Sequence, residues 1–546
     1  MLKMFRYLKG SRGYMFIAVL LNILFACLNV CYTEIFRRYF NDLQGGQTSE
    51  LAMFVVSLVF LELVMTATHY ISSYLTSILT RRTVRRVQEE IFGSILDSMS
   101  IDIDKRPVGE LAALVSNDAS VAANGISYTA VRLLHLVLRF LLYAGYLFYL
   151  NWQMALITLT VGPLMLLLGK IFTNKIETKI EKLRESEADC ENGVVSMLNS
   201  LSFIKINHLS GFFARRYRSS WNHREKQDGA ANRVSILYDE LSSMLGVIGS
   251  ILILGAAALL MANGYILVGT VVAYLQLHNE IVWPFIEMSS LWKEMLSSKV
   301  SFERISEIIE LPKEDSGEDT EPLKRVEYIK AEKISFSYDG TREILSDMDF
   351  WAHKGEVICI LGENGSGKST LIKLLCGLYL PQKGRITMDG TVLTAATMKR
   401  FRSTYGFVMQ NEHVFDGSIR ENLTFGMEIP EERLRECAAK TGLDAYIDEL
   451  EDGYETVLTN GSLSGGELKK LSLTRMLLAD RPVVVMDEPF ASLDGAGCNQ
   501  LEKLIDELRR DRIIIIVTHS KELAKHADRT VTISAAEQDE SPEKSV

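Results

Sequence analysis

Six stretches of largely apolar residues, at roughly 14–36, 51–75, 128–150, 153–172, 240–262 and 268–290, dominate the first half of this 546-residue chain. A helix needs about 20 such residues to cross the hydrocarbon core of a bilayer, where no backbone N–H or C=O tolerates being unpaired. Six membrane-spanning helices are therefore expected. Asn151-Trp152 joins the third and fourth stretches so closely that they form a hairpin, and Asn263-Gly264-Tyr265 does the same between the fifth and sixth. Residues 1–12 are basic and lead into an apolar run too long for a secretory signal and without a small-residue cleavage site, so a retained first helix is expected, with no soluble domain ahead of it.

Orientation follows from the basic residues. The two long connections, 76–127 and 173–239, carry Arg81, Arg82, Arg85, Arg86, Lys105 and Arg106, then Lys175, Lys179, Lys182, Arg215, Arg216, Arg218, Arg224 and Arg233, whereas the tight joints carry none. This bias predicts a multi-pass protein of the cytoplasmic membrane with both termini and both long connections in the cytoplasm. Arg37 and Arg38 are exceptions that can snorkel at the outer headgroups. Residues 83–99 and 171–198 keep helical spacing without proline, so the membrane helices are expected to continue into the cytoplasm as two long hairpins.

Beyond about residue 290 the composition changes. Residues 311–324 form an acidic linker, LPKEDSGEDTEPLK, and apolar strands at 357–361, 483–486 and 513–517 then alternate with helical patterns. That alternation predicts an α/β domain with a mainly parallel sheet. The expected organisation is an all-α polytopic membrane domain at 1–310, a linker at 311–325, an α/β domain at 326–533 and a disordered tail at 534–546. The net charge of −10 argues against a nucleic-acid partner, which requires a basic face. Seven scattered cysteines with no CxxC pair read as reduced thiols rather than a disulfide framework or a zinc site.

Gly362-Glu363-Asn364-Gly365-Ser366-Gly367-Lys368-Ser369 fits G-x-x-x-x-G-K-[ST] between a strand and a helix that opens with Thr370. Backbone N–H groups in such a loop curl around phosphate oxygens, and the helix N-terminus adds positive potential. Lys368 is expected to reach the β- and γ-phosphates, and the Ser369 hydroxyl to meet Mg²⁺. The apolar strand at 483–486 runs into Asp487 and Glu488 at the expected C-terminal edge of the sheet, where ligands bind in such folds. Asp487 is suited to hold Mg²⁺ through water and Glu488 to polarise an attacking water.

With Leu463-Ser464-Gly465-Gly466-Glu467 just ahead of these acids, the chain resembles the ATP-binding-cassette family, whose signature is LSGGQ. The resemblance implies further roles, in the expected order: Tyr338 against adenine, Gln410 facing Mg²⁺ and the membrane half, Asp494 in the D-loop, and His519 as the switch histidine. It also covers the membrane half, where Gly109-Glu110-Leu111 with Asn117-Asp118 looks like the first coupling region of exporters and Ser301-Phe302-Glu303-Arg304-Ile305 looks like the segment before the linker. It implies an exporter half-unit that binds ATP and Mg²⁺ and works as a dimer. There, Ser464, Gly465 and Gly466 of one copy close over ATP held by the other. Retention of Glu488, both signature glycines and His519 favours a homodimer, with a heterodimer still open.

Two departures stand out. Glu467 replaces the usual glutamine, which Ser464 can accommodate by a capping box, although a carboxylate then sits near the partner's triphosphate. Residues 456–462 are about two residues shorter than the family's TxVGExG segment and lack its glutamate.

Arg132, His135 and Arg139 recur at i, i+3 and i+7 in the third stretch, and Glu62 and His69 share a face of the second. Ionisable groups at membrane depth face a cavity or one another, so a cargo-facing stripe and interhelical ion pairs are both open. Cargo is open too: a drug or lipid, a peptide or similar natural product, or no cargo, the chain then being an ATP-operated sensor.

Overall fold

A computed structural model describes residues 6–45, 51–314, 323–363, 365–410, 412–459, 461–520 and 527–533. Most of the linker, the 534–546 tail and Asn364 of the phosphate loop lie outside the described residues. The chain divides into two compact units, one of residues Met1–Gly93 with Val108–Ile309, the other of Ser94–Pro107 with the chain from Glu310 onward.

The first unit is helical. Its elements are α1 (Arg12–Gln44), α2 (Leu51–Asp97, whose last turn belongs to the other unit), then, after the short α3 (Ser100–Asp104), α4 (Val108–Ala113), α5 (Ala119–Asn124) and α6 (Ala130–Leu150). Helices α7 (Trp152–Asn199), α8 (Leu201–Ile206), α9 (Ser210–Ala262) and α10 (Val268–Ile309) complete it. Among the described residues, five segments are long and apolar enough to span a membrane: Arg12–Gln44, Leu51–Asp97, Val108–Leu150, Trp152–Phe172 and Ser210–Ala262. The sixth predicted stretch is helical as part of α10, but Gln276, His278, Asn279 and Glu280 interrupt its apolar run.

Many apolar side chains of this unit point outward, among them Phe16, Leu20, Val56, Phe60 and Leu63, as a surface made for lipid requires. Inward, Tyr143, Leu147, Met154, Ile253, Tyr274 and Ile281 pack into one core. The tight joint at Asn151 is closed by its own chemistry. Its side chain accepts from the N–H groups of Gln153 and Met154, capping α7, and the Tyr274 hydroxyl donates to Leu147 O and Asn151 O. The helix between Val108 and Leu150 carries two π-turns, Leu114–Asp118 and Gly125–Thr129. Gly125 is required there, because a Cβ would lie 1.9 Å from Ser298 Oγ on α10. The first π-turn buries Asp118 against Ser301 Oγ at 2.7 Å and Arg304 at 3.1 Å.

The second unit is α/β. An antiparallel sheet is formed by β1 (Tyr328–Ser337), β2 (Glu343–His353), β4 (Lys383–Met388) and β5 (Thr391–Val392), in the order β2-β1-β4-β5. A parallel sheet combines β3 (Val357–Leu361), β6 (Tyr405–Val408), β9 (Val483–Asp487), β10 (Ile513–Thr518) and β11 (Arg529–Thr532), in the order β11-β3-β10-β9-β6. A short ladder pairs β7 (Gly417–Ser418) with β8 (Val457–Leu458). The helices are α11 (Lys368–Leu375), α12 (Met398–Thr404), α13 (Ile419–Thr424), α14 (Glu431–Thr441), α15 (Asp444–Asp448), α16 (Gly465–Ala479) and α17 (Gly495–Leu508). The strands β3, β9 and β10 are buried on both faces, which is why their sequences read as near-continuous apolar runs rich in Val and Ile.

Residues 94–107 are part of this unit rather than of the helical one. Met99 N–H donates to Pro312 O, Glu314 N–H donates to Asp97 O, Ile101 packs on the unit's core, and Asp104 meets Lys373 and the Tyr379 hydroxyl. Sequence resemblance placed the first coupling region at Gly109 and Asp118. The residues grouped with the α/β unit are Ser94–Pro107, which end just before Gly109. Glu314, within the stretch read as linker, is buried and grips the Arg402 guanidinium with both oxygens.

Candidate functional site

The register of the parallel sheet builds the site. Thr518 lies beside Leu361, and Val517 beside Asp487, so β3, β10 and β9 end together at one edge. From that edge the chain leaves β3 through Gly362 into α11. Gly367 caps α11 at φ +102, a left-handed conformation that favours glycine, and a Cβ on Gly362 would lie 2.5 Å from both Ile533 O and Ser366 Oγ. Lys368 Nζ folds over the loop, donating to Gly362 O at 2.6 Å and Glu363 O at 2.8 Å. Ser366 is buried and its hydroxyl has no partner among the described residues. An orphaned donor, a lysine and a backbone cradle without Cβ atoms converge, which is the chemistry of a phosphate site.

Asp487 and Glu488 follow on β9. Burial and the adjacent Glu488 charge push the Asp487 carboxyl above the ordinary aspartate range, despite Lys469 and Lys368 nearby. Two crowded carboxylates of this kind are relieved by a cation. Ser369 and Asp487 line one cavity of about 320 Å³. No group of three or more His, Cys, Asp or Glu side chains able to hold a metal occurs among the described residues.

Glu488 is held at φ +45, with its N–H donating to Val517 O. Its Oε2 accepts from Thr518 Oγ1 at 3.0 Å, and its Oε1 accepts the His519 backbone N–H at 2.9 Å. His519 Nδ1 lies 2.6 Å from the same Oε1. The phosphate loop, Thr370, Asp487, Glu488 and His519 are therefore one edge. Tyr338 joins it, with its hydroxyl 3.1 Å from Thr370 Oγ1 and its ring edge-on to Phe336 and Tyr379. Gln410 is exposed just past β6, which pairs with β9.

The signature segment forms a separate group. Ser464 N-caps α16 by the capping box its spacing predicts: Glu467 N–H donates to Ser464 Oγ at 3.4 Å, and Ser464 N–H to Glu467 Oε2 at 2.7 Å. Gly465 and Gly466 lie against Ser492, where a Cβ on either would meet it at 3.1 Å. Asp494 caps α17, its Oδ1 accepting from Gly497 N–H at 2.8 Å. Among the described residues none of these groups hydrogen-bonds to the 362–369 loop.

Sequence reasoning missed Thr518 and the buried pair Lys469–Glu412, 3.5 Å apart, in which Lys469 Nζ also donates to Met409 O. Lys469 carried a signal. It falls on the apolar face of α16 with Leu473 and Met476, where a lone cation needs a partner. In the helical unit, Arg132 pairs with Glu287 and Arg139 with Glu280, so the interhelical reading of that stripe holds, and Arg132, His135 and Arg139 also line a cavity with His69.

Comparison with known proteins gives a consistent picture. One family model, the ABC transporter transmembrane region, matches residues 15–285, and a second, the ABC transporter model, matches 345–491. An uncharacterized ABC transporter ATP-binding protein, YfiC, of Bacillus subtilis is 24% identical over 98% of this chain and 90% of its own length. An ATP-dependent lipid A-core flippase of Desulfotalea psychrophila is 27% identical over 82% of this chain and 79% of its own. A fatty acid ABC transporter ATP-binding/permease protein of Mycobacterium tuberculosis is 25% identical, over 85% and 74%. The solved structure of a bacterial Atm1-family ABC exporter with ATP bound shares the fold, with a TM-score of 0.79 at 18% identity, covering 96% of this chain and 94% of that one.

Proposed function

The chain belongs to the ABC transporter family, as a half-transporter whose ATP hydrolysis is coupled to transport, and on that premise we propose that it exports cargo across the cytoplasmic membrane by alternating access. The observation that carries this reading is Glu488, oriented by Thr518 and His519 beside an intact phosphate loop, in a chain that also supplies the membrane helices.

Lys368, Ser366 and the loop N–H groups are the residues that would hold the triphosphate, and Tyr338 stands where an adenine could stack. Ser369, Asp487 and, through water, Gln410 would hold Mg²⁺. When bound, Mg²⁺ neutralises charge on the phosphate oxygens. Glu488 acts as the base that polarises the attacking water, and His519 holds the Glu488 carboxylate and reaches toward the γ-phosphate. Ser464, Gly465, Gly466 and Asp494 serve the partner copy's nucleotide, a reading supported by the resemblance of residues 463–467 to the family signature. The partner is a second copy of this chain. The basic connections support cytoplasmic termini. The names of two relatives, a lipid A-core flippase and a fatty acid transporter, support a lipid-like cargo over a peptide.

The test is reconstitution into sealed vesicles with ATP outside and lipid-like, drug-like and peptide cargoes offered there. Accumulation that requires ATP and disappears in Glu488→Gln is expected. Steady hydrolysis without accumulation of any cargo class would leave a sensor, not an exporter.

A further inference from the structure

The stripe on α6 is answered by a second stripe on α10. Arg132 and Arg139 are seven residues apart, and so are their partners Glu287 and Glu280, taken in the reverse direction along α10. Seven residues are about two helical turns, so two antiparallel helices hold two stacked ion pairs at the depth of the predicted spans. Ion pairs alone would explain a closed seam. The seam is open on one side.

Arg132, His135 and Arg139 line a cavity of about 300 Å³ together with His69, Trp283 and Glu287. Glu280 is not part of that lining and neutralises Arg139 from behind, so Glu287 is the carboxylate of the two pairs that faces the cavity. The Arg132 side chain is 42% exposed even while paired. Neither His69 nor His135 has a hydrogen-bond partner among the described residues, and both are available to donate. Arg139 Nε is buried and also unpartnered. A part-exposed guanidinium whose carboxylate partner faces the same cavity, beside two imidazole donors and within helices whose outer sides are apolar, suits an oxyanion carried on an alkyl chain.

We propose that this cavity binds the oxyanion of an acidic amphiphile, a carboxylate or phosphate carried on an alkyl chain, by exchange. The ligand's oxyanion takes the place of the Glu287 carboxylate on Arg132, while His69 and His135 donate to its remaining oxygens. Glu287 is the built-in occupant of the site, which keeps Arg132 paired when no cargo is present and avoids an unpaired charge at membrane depth. This names the cargo class and rests on the export reading.

The experiment uses the full-length protein, without nucleotide, in nanodiscs of neutral phosphatidylcholine. Dodecanoate, dodecyl phosphate, dodecanol and dodecylamine are titrated, and binding is read as the tryptophan emission change that is lost in Trp283→Phe. Both anions are expected to bind at least roughly tenfold more tightly than dodecanol, with dodecylamine no tighter than dodecanol. A lead for the carboxylate points to a fatty-acid-like source and a lead for the phosphate to a phospholipid-like one. Arg132→Gln should erase the preference for anions. Glu287→Gln keeps Arg132 and removes its competitor, so it should tighten anion binding severalfold and leave dodecanol unchanged. Equal affinity for all four probes overturns the proposal, as does a Glu287→Gln protein that binds anions no tighter. ATP-driven uptake is followed on the same preparation in vesicles. Anion-selective binding without uptake leaves this inference standing and removes the export reading, whereas uptake without anion preference removes this inference alone.

Discussion

His519 Nδ1 lies 2.6 Å from Glu488 Oε1, an oxygen that also accepts the His519 backbone N–H. The carboxylate is thereby fixed in direction by the strand next to its own. With Thr518 on the other oxygen, Glu488 cannot rotate away from the sheet edge. For the base proposed at Glu488, such fixed placement is worth rate rather than affinity. Glu488→Gln is expected to keep ATP binding and lower turnover by roughly 100-fold or more, as loss of a general base does. Equilibrium nucleotide binding and phosphate release on the same protein check this, and turnover within a few-fold of wild type would refute it.

Glu467 is held by Ser464 N–H at 2.7 Å, an interaction a glutamine oxygen can also make. Glu467→Gln should therefore leave α16 intact and remove only a negative charge from the face proposed to meet a partner copy's triphosphate. A fall in half-saturating ATP of about two- to fivefold is expected, corresponding to a charge effect of about 0.3–1 kcal/mol. Glu467→Ala should instead cost about 0.5–2 kcal/mol of stability by losing half of the capping box. If the glutamine variant leaves ATP dependence and turnover unchanged, the charge is irrelevant to closure.

Lys469 and Glu412 form an ion pair with side chains only 5% and 7% exposed. Removing one partner strands a buried charge. Lys469→Met is expected to destabilise the full-length protein by about 3–5 kcal/mol, and Lys469→Met combined with Glu412→Leu to recover much of that loss. Calorimetry of the two single variants and the double variant measures the coupling. Additive losses would show that the pair does not act as a unit.

Asp104 of α3 meets Lys373 at 2.9 Å and accepts from the Tyr379 hydroxyl. Burial raises its carboxyl, but Tyr379 and Lys373 outweigh that and hold it below the ordinary aspartate range. A depressed carboxyl stabilises above its unfolded pKa, and the contribution is lost as pH falls through the depressed value. The anchoring of α3 should thus be constant near neutrality and fail only in strong acid. Asp104→Asn should mimic the acid state at neutral pH, lowering hydrogen-exchange protection of α3 by up to about fivefold, since a half-exposed pair contributes no more than about 1 kcal/mol. Unchanged protection in that variant would mean that Ile101 and the backbone hydrogen bonds at Asp97 and Met99 hold the segment without Asp104.

The local chemistry of this protein was legible in its residues. Apolar length announced long helices, the glycine-rich stretch announced a tight turn between strand and helix, and Ser464 with Glu467 three positions on announced a capped helix. Each of these depends on neighbours within a few residues, so spacing carries the information. The polar interruption of α10 was legible too, as Gln276, His278, Asn279 and Glu280, but its purpose was not. Glu280 and Glu287 acquire meaning only when α10 runs antiparallel to α6 and brings them to Arg139 and Arg132. Lys469 finds Glu412, Glu488 finds Thr518, and Asp104 finds Tyr379 across equally long separations. Those partnerships are set by the register and packing of whole elements against one another, which the order of residues along the chain does not state locally and only the folded molecule decides.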